Sequence, residues 1–210
     1  MTNVEEVPIP PVDRSVSVSW NPADAFARFT RDWSAWWPRK THSIGGKLIK
    51  ELGFECRVGG LIYEELVDGR RWQWGKVTAW DPPRRVAFTW HPSKDEATAQ
   101  DVEVTFTPEG SGTRVRLLST GLERLGAKGK SARKGYDIGW GSVLDNWAGK
   151  RSAAFVIFGV LSRVITLYYR VTGKLETEIN KAGGRLYSHR EARRAEAISE
   201  IASPPGGGSQ

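Results

Sequence analysis

The chain is poor in the residues from which most catalytic and metal sites are built. It has one cysteine, Cys56, in 210 residues. No intramolecular disulfide is possible, which fits a reducing compartment, and thiolate-rich zinc sites are excluded. Its three histidines are His42, His91 and His189, and none has a metal-ligand spacing such as HxxxH. His91 stands before Pro92 and reads as a turn residue. There is no Gly-x-Ser-x-Gly elbow to present a nucleophilic serine. Gly59-Gly60 and Gly139-Trp-Gly141 lack the context of a phosphate loop and read as a turn and a helix start. The first residues, Met1-Thr-Asn-Val-Glu-Glu-Val-Pro, are acidic and carry no basic-then-apolar secretory pattern. These absences predict a cytoplasmic chain without metal or cofactor.

Tryptophan is what the chain has in excess, ten in all. An indole buries a large apolar area and still needs an acceptor for its N–H. Such rings build either a solid core or the walls of a cavity. The net charge is +7, unevenly spread. Residues 1–123 hold 16 basic and 17 acidic side chains, residues 124–175 hold 10 and 2, and residues 176–210 hold 5 of each. The excess therefore lies in one middle segment, as a solvated basic face or one that meets an anionic surface. No nucleic acid is expected as a partner.

Along the chain, residues 1–13 carry three prolines and no regular pattern, and read as a disordered leader. Ser15-Val-Ser-Val-Ser-Trp20 alternates as a strand does. Asn21-Pro22 is a helix start, with an N-cap side chain and proline at the first helical position. A helix over 22–30 puts Ala25, Phe26 and Phe29 on one face, and a second over 31–37 stops at Pro38. Residues 41–50 look irregular. Strands are expected over 54–58, 61–66, 72–80, 85–91 and 102–106, and a last one holds Val115 and Leu117. Asp68-Gly69 and Asp81-Pro82-Pro83 turn the chain between them. In 72–80 a strict period of two puts Trp72, Trp74, Lys76, Thr78 and Trp80 on one face. Residues 123–135 read as a Gly- and Lys-rich connection. From Tyr136 the pattern is helical, with Trp140, Val143, Leu144 and Trp147 at i, i+3, i+4 and i+7.

This order predicts an α+β helix-grip fold over residues 14–150. A curved antiparallel sheet wraps a long C-terminal helix, and the space between them is the natural cavity. The order and motifs resemble the superfamily of steroidogenic-acute-regulatory-related lipid-transfer and polyketide-cyclase-like domains. They are most similar to homologues of the activator of the Hsp-90 ATPase. The resemblance rests on Pro22-Ala-Asp-Ala-Phe26, Trp36-Trp37, Gly59-Gly60-Leu-Ile-Tyr-Glu64, Trp74-Gly-Lys-Val77 and Asp81-Pro-Pro-Arg-Arg-Val86. Phe88-Thr-Trp90, Val102-Glu-Val-Thr-Phe106, Gly112-Thr-Arg-Val115 and Gly139-Trp-Gly-Ser-Val-Leu144 continue it. The family often carries a histidine before the Gly-Leu that follows the last strand. This chain reads Ser119-Thr120-Gly121-Leu122 there.

The candidate cavity residues are Trp72, Trp74, Phe88, Trp90, Trp140, Leu144 and Trp147, with Trp33, Trp36 and Trp37 near the mouth. Flat rings with single N–H donors suit a small apolar ligand, aromatic or isoprenoid. The expected activity is non-catalytic binding, by a carrier or sensor. The resemblance implies a chaperone-ATPase regulator as a second reading, with a chaperone or another protein as partner. Glu64 is the candidate for a third, a cyclase or hydrolase that uses a buried carboxylate.

Residues 151–182 form an expected apolar, amphipathic helical extension. Within 153–171 the segment is near the length of a membrane span, but Arg163 opposes insertion by about 2.5–3.5 kcal/mol. Packing on its own domain, a homo-oligomer contact, peripheral membrane contact and a true span are the readings for it. Residues 183–210 read as a charged helix and a disordered tail.

Overall fold

The computed structural model describes residues 8–45, 48–92, 95–150 and 186–187. β1 (Val12–Val18) is followed by three helices: α1 (Pro22–Thr30), α2 (Trp33–Trp36) and α3 (Arg39–His42). A meander then runs through β2 (Ile49–Phe54), β3 (Leu61–Leu66), β4 (Arg71–Asp81), β5 (Arg85–Trp90), β6 (Gln100–Glu109) and β7 (Gly112–Thr120). A 3-10 segment over Leu122–Lys128 leads into α4 (Gly129–Trp147). The strand order is β1-β7-β6-β5-β4-β3-β2, antiparallel throughout. A two-residue strand, β8 (Leu186–Tyr187), pairs with Arg71 and Trp72 of β4. This is the helix-grip architecture, with α4 laid against the curled sheet. The apolar extension and the charged helix expected over 151–182 and 183–210 lie outside the described residues, apart from β8.

Local chemistry accounts for the first elements. The Asn21 side chain accepts from the Asp24 amide at 2.9 Å, and Pro22 occupies the first turn. Phe26 and Phe29 then turn inward, with ring centroids 5.3 and 5.8 Å from Phe106 of β6. Burying a large apolar side chain of this kind is worth about 1.5–3 kcal/mol. The core runs as one cluster from Val12 in β1 to Trp147 at the end of α4.

Four expectations are corrected. The strand expected over 54–58 is instead β2 at Ile49–Phe54, because Glu55 closes a turn there. Its carboxylate accepts from the Leu61 amide at 3.0 Å, and Arg57 N–H bonds its carbonyl at 2.8 Å. The single face expected of 72–80 is broken twice by bulges in β4. Trp72, Trp74 and Val77 point inward, while Lys76 and Thr78 are exposed. α4 starts at Gly129, not Tyr136, so most of the Gly- and Lys-rich connection is helix. The leader is ordered from Pro8. Arg133 of α4 donates to the carbonyls of Pro10 and Pro11 at 2.8 and 3.0 Å, and Val12 and Asp13 pair with β7. Arg14 of β1 also grips Asp137 of α4 through two hydrogen bonds of 2.8 and 2.6 Å. None of these long-range ties is visible in local sequence, and together they hold the basic half of α4 on the sheet.

Candidate functional site

α4 lies over one end of the sheet and leaves a cavity of about 420 Å³ beneath it. That volume falls within the range of small-molecule sites. One side is a single stripe of α4: Ala132, Gly135, Tyr136, Gly139, Trp140 and Val143. The spacing is i, i+3, i+4, i+7, i+8 and i+11, one face of a helix. The other walls are Trp37, Thr41 and His42 from α2 and α3, with Trp90 and Pro92 from the end of β5. Gly135 and Gly139 keep the helical wall low, since a Cβ added at either would meet nothing within 4 Å. The walls are mainly apolar and aromatic, and their flat rings converge on one volume.

His42 ties the two sides of this cavity together. Its Nδ1 lies 2.8 Å from the Thr41 hydroxyl and its Nε2 lies 3.1 Å from the Ser142 hydroxyl of α4. The Trp37 indole donates to the His42 carbonyl at 3.1 Å. Burial pushes the imidazole from 6.5 down to about 4, because a charged ring is poorly solvated there. A neutral imidazole of this kind is a weak base at neutral pH and serves better as a hydrogen-bonded strut. The lowered value also couples stability to pH. Between pH 6.5 and about 4 the unfolded chain takes up the proton first, so the folded state loses stability as pH falls. Relative to His42→Gln, the wild-type protein is expected to lose roughly 2–3 kcal/mol between pH 7 and pH 4. Urea unfolding of both proteins at the two pH values measures this, and equal slopes would refute it.

Of the predicted cavity residues, Trp37, Trp90 and Trp140 line the cavity. Trp33, Trp36, Trp72, Trp74, Phe88, Leu144 and Trp147 stand outside its lining. They are spent on packing. Trp33 stacks on Trp37 with centroids 4.4 Å apart, and Trp74 lies 5.4 Å from Trp90. Phe88 lies 6.1 Å from Trp90, and Trp147 meets Trp20 edge-on at 5.2 Å. The half-buried Trp36 donates its N–H to the Phe29 carbonyl at 3.2 Å. Trp72 and Leu144 are buried in the same core cluster. The solid core and the cavity expected as alternatives therefore coexist, the cavity opening at one side of a packed aromatic layer. Sequence reasoning missed Thr41, His42, Pro92, Ala132, Gly135, Tyr136, Gly139 and Val143 as lining residues. Helical spacing back from Trp140 through Tyr136 to Ala132 was the available signal, hidden by the glycines.

Glu64 is fully buried on β3, away from the cavity walls. Its two carboxylate oxygens accept from the Ile44 and Gly45 amides, both at 2.8 Å. Burial raises its pKa to about 7, against the two amides, which favour the ionised form. In this position Glu64 anchors the loop that follows α3, just after His42. Ser119, in the stretch where the family often has histidine, is also fully buried and donates to the Gln100 carboxamide oxygen at 3.2 Å. Among the described residues no group of three or more His, Cys, Asp or Glu is placed to hold a metal ion. Among the same residues no helix is long and apolar enough to cross a membrane; residues 153–171 lie outside them.

The model of the family described as Activator of Hsp90 ATPase homolog 1-like protein matches residues 21–148. Among solved structures, the chain is 37% identical to an anthrahydroquino-gamma-pyrone synthase, Txn09, complexed with SUM. That match covers 68% of this chain and 97% of the synthase, with a TM-score of 0.48. The Bacillus halodurans protein BH1534 is 16% identical over 68% of this chain and 96% of its own, with a TM-score of 0.49. The Mesorhizobium loti protein MLL2253 is 20% identical over 67% and 95%, with a TM-score of 0.47. No curated protein matches the chain.

Proposed function

The chain belongs to the Activator of Hsp90 ATPase homolog 1-like family, and from its cavity we propose that it binds a small, flat, apolar molecule without transforming it, as a carrier or sensor. The observation that carries this reading is the cavity itself, about 420 Å³ between α4 and the sheet, with three indoles and a phenol in its walls. Apolar area removed from water supplies the affinity, at about 25 cal/mol per Å². Ring faces restrict the ligand to flat shapes. The lining imidazole is a weak base at neutral pH, because burial holds it neutral down to about pH 4. Glu64 stands outside the lining with both oxygens occupied. A cytoplasmic setting and an oligomeric or membrane role for residues 153–171 are separate proposals, which the cavity does not require.

Gly139→Leu is the direct test. The new side chain projects from the middle of the α4 stripe into space that holds no other atom within 4 Å of its Cβ. The variant is expected to fold, since leucine is a far better helix former than glycine, and to lose ligand binding. A thermal-shift screen of flat tricyclic aromatics measures this. A ligand present at 100 times its Kd stabilises the wild-type fold by about 2.7 kcal/mol, or roughly 5–10 °C. Native mass spectrometry of the same samples reads adduct and product masses together, which matters because the 37% identical relative is a synthase. No stabilisation of the wild type by any member of the panel, or equal stabilisation of Gly139→Leu, would overturn the reading. A product mass would replace carrier by enzyme.

A further inference from the structure

The cavity's walls are mainly apolar, but the sheet beside it carries a buried amide whose nitrogen has no hydrogen-bond partner among the described residues. Gln100 opens β6 and is fully buried. It sits directly opposite Trp90 in the β5–β6 register. Residues directly opposed in an antiparallel pair project from the same face, so Gln100 shares the concave face with a cavity-lining ring. The Ser119 hydroxyl donates to its oxygen at 3.2 Å, which turns the carboxamide NH2 the other way. That nitrogen has no hydrogen-bond partner among the described residues. Buried polar groups are nearly always satisfied, and each exception asks for a reason. The indole nitrogen of Trp140, in the cavity wall, is likewise buried without an acceptor. Both groups are donors. The unmet need on this side of the fold is therefore for an acceptor oxygen.

Resting on the reading of the cavity as a ligand site, we propose that Gln100 recognises the ligand, donating from its carboxamide to a carbonyl-type oxygen on a flat apolar ring system. Ser119 is a positioning residue, holding the carboxamide oxygen so that the NH2 faces the ligand. The amide nitrogen is closed to solvent, so ligand entry must open a path to it. This selects ring ketones and quinones over hydrocarbons of the same outline. A site built to hydrogen-bond one ligand group discriminates strongly against an analogue without it.

Equilibrium dialysis of the full chain against 9-fluorenone and fluorene, which share one skeleton and differ by the carbonyl oxygen, tests this. The wild type is expected to bind fluorenone at least ~10-fold more tightly than fluorene, and Gln100→Met to bind the two alike. Ser119→Ala keeps the amide and removes only its orienting hydroxyl. It is expected to narrow the preference, and it serves as the readout if Gln100→Met does not fold. A purely structural role for Gln100 would weaken both ligands together and leave their ratio unchanged. Equal binding of the two by the wild type would overturn the proposal while leaving the cavity as a ligand site, and so would a ratio that survives both substitutions. Binding of neither by the wild type would overturn it together with that reading.

Discussion

Trp90→Ala is expected to cost about 3–5 kcal/mol, the range for removing a large buried aromatic. The ring is 5% exposed and stands at the centre of the aromatic layer. Its centroid lies 5.0 Å from Trp140, 5.4 Å from Trp74 and 5.5 Å from Trp37. Such edge and tilted pairs add about 0.5–1.5 kcal/mol each beyond the area they bury. The void left behind would also run into the existing cavity. The neighbours that could close it, Trp37 and Trp140, are held by α2, α3 and α4, so little collapse is available. Trp36→Ala is the useful contrast, because that ring is only half-buried and its loss should cost clearly less. Urea midpoints of the two variants decide the matter. A loss under about 1 kcal/mol for Trp90→Ala would show that the layer repacks freely and that the cavity walls are not fixed.

Gly75→Ala is expected to be nearly as damaging, at about 3 kcal/mol or more. A Cβ at this position would stand 1.7 Å from the backbone oxygen of Thr89. That oxygen belongs to β5 and cannot rotate away. Gly75 also adjoins the first bulge of β4, which is pinned by the Lys76 amide on the Thr89 hydroxyl at 2.9 Å and the His91 amide on the Trp74 carbonyl at 2.7 Å. Pushing β5 away would move Trp90 as well, so ligand binding should fall together with stability. Gly139→Ala is the matched control. Its Cβ has open space, and removing a helical glycine is expected to stabilise the protein by up to about 1 kcal/mol. Thermal unfolding of both variants measures the contrast. Equal effects would mean that the β4–β5 contact is slack.

Much of the fold was legible because its signals are local and periodic. Asn21-Pro22 announced α1, Asp68-Gly69 announced a hairpin, and Trp140, Val143, Leu144 and Trp147 marked the buried face of α4. Three of the predicted cavity residues, Trp37, Trp90 and Trp140, reached the wall. Two of the failures, the start of α4 and the leader, have one physical source, a long-range contact that overrode a local tendency. Glycines at 129, 135 and 139 disfavour helix by about 1 kcal/mol each, yet α4 runs through all three. Arg14–Asp137 and Arg133 with the Pro10 and Pro11 carbonyls hold that half on the sheet. The strict alternation expected of β4 failed because two bulges, invisible in a hydropathy pattern, re-aim its side chains.

By itself the sequence determined the architecture and the material of the site: an antiparallel meander, a covering helix, and an interior of indoles with no metal-ligand spacing. Those properties follow from residue type and period, which any window of the chain displays. Only the tertiary structure decided how the indoles are divided. Trp33, Trp74 and Trp147 are enclosed by other rings, while Trp37, Trp90 and Trp140 keep a face on open volume. It also decided that His42 and Ser142, 100 positions apart, meet at 3.1 Å, and that Gln100 lies across from Trp90 with its amide nitrogen unpaired among the described residues. Whether a ring fills a core or walls a cavity depends on what stands opposite it, and strand register and helix placement set that, not the ring's own chemistry.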